Sequence, residues 1–144
     1  MILKAFRHLS LAVVPIALLT GVPAIAHHSF AAEYDRDQPV TLKGTLTKVE
    51  WTNPHGWIYI DVKGETGKVT NWAVEFGAPN ALLRRGLRRT DFPSGVELLV
   101  KGYRAKSGSP AINGTAVQFP DGRNLFTGSS NPDAPGAEKT GAEK

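Results

Sequence analysis

VTLKGTLTKVEWTNPHGWIYIDVK, residues 40–63, decides the fold. Its apolar residues recur at every second position, the spacing of a strand that buries one face. Val40, Leu42 and Leu46 fall on one side, and Thr41, Lys43 and Thr45 on the other. Val49 and Trp51 then appear with the opposite parity. Gly44 lies beside this change, and an extra residue there is expected to form a β-bulge that bends the strand. Thr52-Asn53-Pro54-His55-Gly56 brings Asn, Pro and Gly together and reads as a turn. Alternation then resumes over residues 57–63, with Ile58, Ile60 and Val62 facing one way and Trp57, Tyr59 and Asp61 the other.

Outward from this bent strand, turn and second strand, the same logic continues. Gly64-Glu65-Thr66-Gly67 makes a hairpin loop into a third strand at 69–76, whose Trp72, Val74 and Phe76 alternate inward. Pro79 suits the first turn of a helix. Residues 80–87 form that helix, with Leu82, Leu83 and Leu87 among arginines and a stop near Gly86. A fourth strand follows at 96–105 and a fifth at 111–119. Asp121-Gly122 signals a hairpin, and 123–127 a short return strand. This order predicts a mainly β fold, a small OB-like five-stranded β-barrel with one short helix between strands 3 and 4. An open sandwich or roll would use the same strands.

The flanks have other characters. Residues 1–26 read as a signal peptide. Lys4 and Arg7 precede an apolar run at 9–19 that is too short to span a bilayer, and Ala24-Ile25-Ala26 gives a cleavage pattern. Residues 27–39 are an N-terminal arm, 40–127 the barrel, and 128–144, rich in Gly, Ser, Pro, Ala, Glu and Lys, a disordered tail. The expected location is therefore the periplasm or the exterior, with no transmembrane anchor after cleavage. Of the 17 Lys and Arg residues two lie in the signal, so the formal charge of +4 falls to +2 without it. That balance gives little reason to expect a polyanionic partner, and export makes nucleic acid an unlikely ligand. With no cysteine, disulfides, thiolate metal sites and cysteine nucleophiles are excluded.

Cleavage after Ala26 makes His27 the new N-terminus. Its α-amine, with an ordinary pKa near 8, and its own imidazole chelate one metal ion together. His55 in the Asn-Pro-His-Gly turn is a candidate second arm, and the His28 amide and imidazole offer a further mode. All-nitrogen, tetragonal coordination favours Cu(II), whereas zinc would seek a carboxylate such as Glu33 or Asp35. Phe30 is expected to pin this arm to the barrel. His55 by itself would more often be a turn residue donating to a backbone carbonyl.

Two further constellations suit an envelope protein or glycan partner. Trp57 and Tyr59 share one face of strand 2, a platform for stacking, although large aromatics also build small cores. Arg84, Arg85, Arg88 and Arg89 surround the helix and suit an anionic partner, although such runs are usually solvated faces. Catalytic signatures are missing: no Gly-x-Ser-x-Gly elbow, phosphate-binding loop or His-Glu-x-x-His helix occurs. Glu50 and Glu75 are near enough in the strand order to be considered together, but nothing requires their approach.

His27-His28-Ser29-Phe30-Ala31-Ala32-Glu33-Tyr34-Asp35, Glu50-Trp51-Thr52-Asn53-Pro54-His55, Asn80-Ala81-Leu82-Leu83-Arg84-Arg85-Gly86 and Pro120-Asp121-Gly122-Arg123 resemble segments of a family of small exported bacterial proteins of unknown function. The resemblance spans residues 26–127 and implies export and one β domain. It implies no activity. The expected function is non-catalytic binding, with copper at His27, His28 and His55 as its sharpest form. The alternative is an interaction module for an envelope protein or glycan through Trp57, Tyr59, Arg84, Arg85 and Arg88.

Overall fold

The computed structural model describes residues 29–128. The expected signal segment, His27, His28 and the expected tail after Gly128 lie outside them. A single-turn helix, α1 (Phe30–Glu33), leads directly into β1 (Tyr34–Glu50). There follow β2 (Trp57–Lys63), β3 (Val69–Glu75), a short helix α2 (Pro79–Arg84), a 3-10 turn at Arg89–Asp91, β4 (Glu97–Ala105), β5 (Ala111–Gln118) and β6 (Asn124–Phe126).

The fold is mainly β, and five of its six strands form a ring. The sheet order is β3-β2-β1-β4-β5-β6, and β3 pairs with β5 to close the circuit. That closing pair is parallel, at Ala73–Ala111, Val74–Ile112 and Glu75–Asn113. β1 serves two neighbours in succession. Tyr34 to Thr45 pairs with β4, and Thr45 to Glu50 with β2. β5 is divided similarly: one edge meets β3 at residues 111–113 and then β6 at 116–118. The ring encloses the core expected from the alternation. Ile58, Ile60, Val74, Phe76, Leu82, Leu87, Val100, Ile112 and Val117 are fully buried, while most of their outward neighbours, Glu75 and Asn113 excepted, stay partly or fully exposed.

Three details differ from the sequence reading. β1 starts at Tyr34, not Val40, because Tyr34 pairs with Ala105 and Pro39 with Tyr103 of β4, while Asp35 to Gln38 fall in a register shift between them. The bulge against β2 falls between Leu46 and Lys48, not beside Gly44. Gly44 answers a different need: a Cβ there would lie 2.8 Å from the Asp61 carbonyl oxygen. The helix ends at Arg84, so Arg88 and Arg89 belong to the following 3-10 turn and not to the helix.

A second, smaller apolar cluster sits outside the ring. Phe30 packs on Tyr34 at 5.8 Å between ring centroids and edge-on to Tyr103 at 5.6 Å. Phe30 and Tyr34 are buried there, with Tyr103 and Ala105 against them. Ser29 caps α1 by accepting the Ala32 N–H, and Lys106 N–H donates to the Glu33 carbonyl at 2.8 Å. These contacts fix the segment just after His28 to the outer wall.

Candidate functional site

The arm covers a polar cluster that the sequence did not reveal. Its centre is Glu75, the last residue of β3. Trp57 is the register partner of Glu75 on β2, and Asn113 its partner on β5. Paired residues share a face, so Glu75 points outward beside Trp57, away from the core. It is nonetheless only 5% exposed, with His55 of the 51–56 turn, Tyr34 and Asn113 against its carboxylate.

His55 reaches the same spot from that turn. The turn, which contains a cis Asn53–Pro54 peptide, is tied to the end of β3 by Gly56 N–H to the Gly77 carbonyl at 3.2 Å and Phe76 N–H to the Gly56 carbonyl at 2.7 Å. Two residues before Trp57, His55 lies diagonally across from Glu75, and its Nδ1 contacts Glu75 Oε1. Instead of a backbone carbonyl, the imidazole has a buried carboxylate as its partner. The Tyr34 hydroxyl donates to the same carboxylate, and Asn113 Nδ2 donates to Oε2 at 3.2 Å. Asn113 Oδ1 is buried without a hydrogen-bond partner among the described residues.

The electrostatics follow from this arrangement. Burial pushes the Glu75 carboxyl up, but the hydrogen bonds from His55, Tyr34 and Asn113 outweigh it and hold the group below the ordinary range. The bond to Glu75 raises His55 against a smaller opposing effect of burial, and the Glu33 charge adds to the rise. Burial, reinforced by Glu75, raises the Tyr34 hydroxyl, so it remains a donor. Negative charge from Glu75 and Glu33 therefore surrounds one imidazole whose second nitrogen, Nε2, makes no hydrogen bond among the described residues. Such a nitrogen can accept a proton or bind a metal ion. Among those residues no three His, Asp or Glu side chains are grouped to hold a metal, so His55 would need ligands from elsewhere.

The other sequence candidates are scattered. Tyr59 and Trp57 do share the outer face of β2, both half-buried. Tyr59 donates to Glu50 Oε2 at 3.1 Å, and the Lys48 ammonium lies 5.1 Å above its ring. One stacking face is thus occupied. Glu50 and Glu75 flank Trp57 on opposite sides, two strands apart, and do not meet. Arg85 donates to the Gly128 carbonyl at 3.3 Å and stacks on Phe126, while Arg84 and Arg88 are exposed. His55 comes together with Tyr34, Glu75 and Asn113. His27 and His28 lie outside the described residues.

A ring of five strands with an ionisable cluster clamped under an N-terminal arm defines a small β-domain protein. The chain belongs to the Family of unknown function (DUF6152), whose model matches residues 16–115. That stretch contains Tyr34, His55, Glu75 and Asn113, but not the Pro120-Asp121-Gly122-Arg123 segment. No curated protein and no solved structure matches the chain.

Proposed function

We propose that the protein is exported, that a signal peptidase cuts after Ala26, and that the mature protein, in the periplasm or outside the cell, binds copper without catalysing a reaction. The ligands are the α-amine and imidazole of His27, with His55 Nε2 as the second arm and His28 as an auxiliary donor. The observation that carries this reading is the buried carboxylate on His55 Nδ1. A metal-binding histidine characteristically donates its other ring N–H to a carboxylate or carbonyl, and Glu75 supplies that partner.

The arm strengthens the argument. Ser29 begins the docked segment, and Tyr34, five residues on, reaches the carboxylate that also holds His55. The two residues from His27 to Ser29 have a reach of about 7 Å. Negative charge from Glu33 and Glu75 favours a cation there. The OB-like reading belongs to the same proposal. It rests on closure between β3 and β5, the bend in β1, and α2 falling between β3 and β4. The glycan or envelope-protein alternative has less support, because Lys48 covers Tyr59 and Arg85 is engaged within the domain.

The test is Cu(II) titration of the mature protein beginning at His27. Two comparison proteins carry one added alanine before His27 or His55→Ala. Tight one-to-one binding, weakened sharply by the added alanine and further by His55→Ala, supports the site. Equal, weak binding in all three overturns it.

A further inference from the structure

Glu75 is an unexpected residue to bury. It sits on the outward face of a strand, where a carboxylate would normally remain in water, and is instead 5% exposed. Burying a charge is costly unless donors replace the water it loses. Glu75 has three, each from a different part of the chain: His55 from the 51–56 turn, Tyr34 from the start of β1, and Asn113 from β5. Packing does not explain the choice, since an apolar residue of similar size would fill the volume without needing donors.

Resting on the metal reading above, we infer that Glu75 is a positioning residue that fixes the His55 tautomer and ties the N-terminal arm to it. Neutral imidazole carries one proton, on either nitrogen. An ionised carboxylate only accepts, so at Nδ1 it holds the proton there and leaves the lone pair on Nε2. The same carboxylate accepts from Tyr34, whose ring packs against Phe30, the second residue after His28. One side chain therefore governs both the donor atom of His55 and the distance between His55 and the arm. Asn113, fixed in register beside Glu75, occupies Oε2 and keeps the carboxylate from turning.

Two substitutions separate these roles. Glu75→Leu keeps the volume and removes the acceptor. Tyr34→Phe leaves the His55–Glu75 contact in place and cuts the tie to the arm. Nitrogen-15 NMR of the metal-free mature protein, above the titration of His55, reads the tautomer. Cu(II) titration and the nitrogen hyperfine pattern read the site. The wild type should show the Nδ1–H tautomer. Glu75→Leu should shift it to Nε2–H, lower Cu(II) affinity about 10- to 100-fold, and remove one imidazole nitrogen from the copper spectrum. Tyr34→Phe should keep both the tautomer and the nitrogen count but bind more weakly.

A wild-type Nε2–H tautomer overturns the inference without any variant, including the case in which Glu75→Leu does not fold. So does Glu75→Leu binding copper like the wild type when His55→Ala does not. Should His55→Ala leave copper binding unchanged, the metal reading falls instead. The tautomer comparison then still decides whether Glu75 orients His55.

Discussion

Removing the Phe30 ring should detach the arm and leave the ring of strands intact. Phe30 is 2% exposed and belongs to the outer cluster with Tyr34, Tyr103 and Ala105, not to the main core. A fully buried Phe→Ala costs about 3–5 kcal/mol. The outer position lets water and neighbours fill the gap, which places Phe30→Ala near the lower end, at about 3 kcal/mol. At about 1.4 kcal/mol per factor of ten, that is roughly a hundredfold change in the opening equilibrium. Amide hydrogen exchange assigns it to a region. The Lys106 N–H, bonded to the Glu33 carbonyl, should lose about two decades of protection. The Phe76 N–H, bonded to the Gly56 carbonyl inside the ring, should lose far less. A loss below about tenfold at Lys106 would refute the assigned role of Phe30. Equal losses at Lys106 and Phe76 would show that arm and ring open as one unit.

Two further outcomes follow from other contacts of the domain. The His55–Glu75 pair should make the metal-free protein most stable at mildly acidic pH. The contribution of His55 is complete below its ordinary 6.5 and is lost as pH rises through its raised folded value. That of Glu75 is complete above its ordinary 4.5 and is lost as pH falls through its lowered folded value. Urea midpoints measured across pH should therefore decline on both sides of this window, and His55→Asn should abolish the alkaline decline; an unchanged alkaline limb would reject His55 as its source. Gly102→Ala should destabilise the fold by at least about 1–3 kcal/mol in thermal melts, because its Cβ would lie 2.3 Å from the Asn113 carbonyl oxygen. The control Gly64→Ala, where the nearest atom is 3.5 Å away, should stay within about 0.5 kcal/mol of wild type.

The strands were legible because each buries one face. Ile58 and Ile60 are fully buried, and Trp57 and Tyr59 between and beside them are half-exposed, as alternation requires. The start of β1 was not legible. Asp35-Arg36-Asp37-Gln38-Pro39 has no apolar alternation, and β4 holds it only at its ends, through Tyr34 with Ala105 and Pro39 with Tyr103. The same difference separates the two halves of the candidate site. His55 stood out as a histidine in a turn of small and rigid residues. Glu75 did not, because its position on β3 reads as an ordinary outward carboxylate. What buries it is distant in sequence: an arm about forty residues earlier and a strand about forty residues later, meeting only when the ring closes. Asn113 and Tyr34 become chemically meaningful only beside Glu75, so no local pattern marks them.

The divided edge of β5 has a consequence for how copies of this protein meet. A strand with unpaired N–H and C=O groups is a template for another chain. In a simple six-stranded order, β3 would be such an edge. Here β3 occupies the first part of the free side of β5 and β6 the rest, joined by Gly77 N–H to the Thr127 carbonyl at 3.0 Å. The terminal strand left at that margin is three residues long, too short to seed a growing stack. Protection against edge-to-edge pairing is thus built into β6, which covers the part of the β5 edge that β3 leaves free.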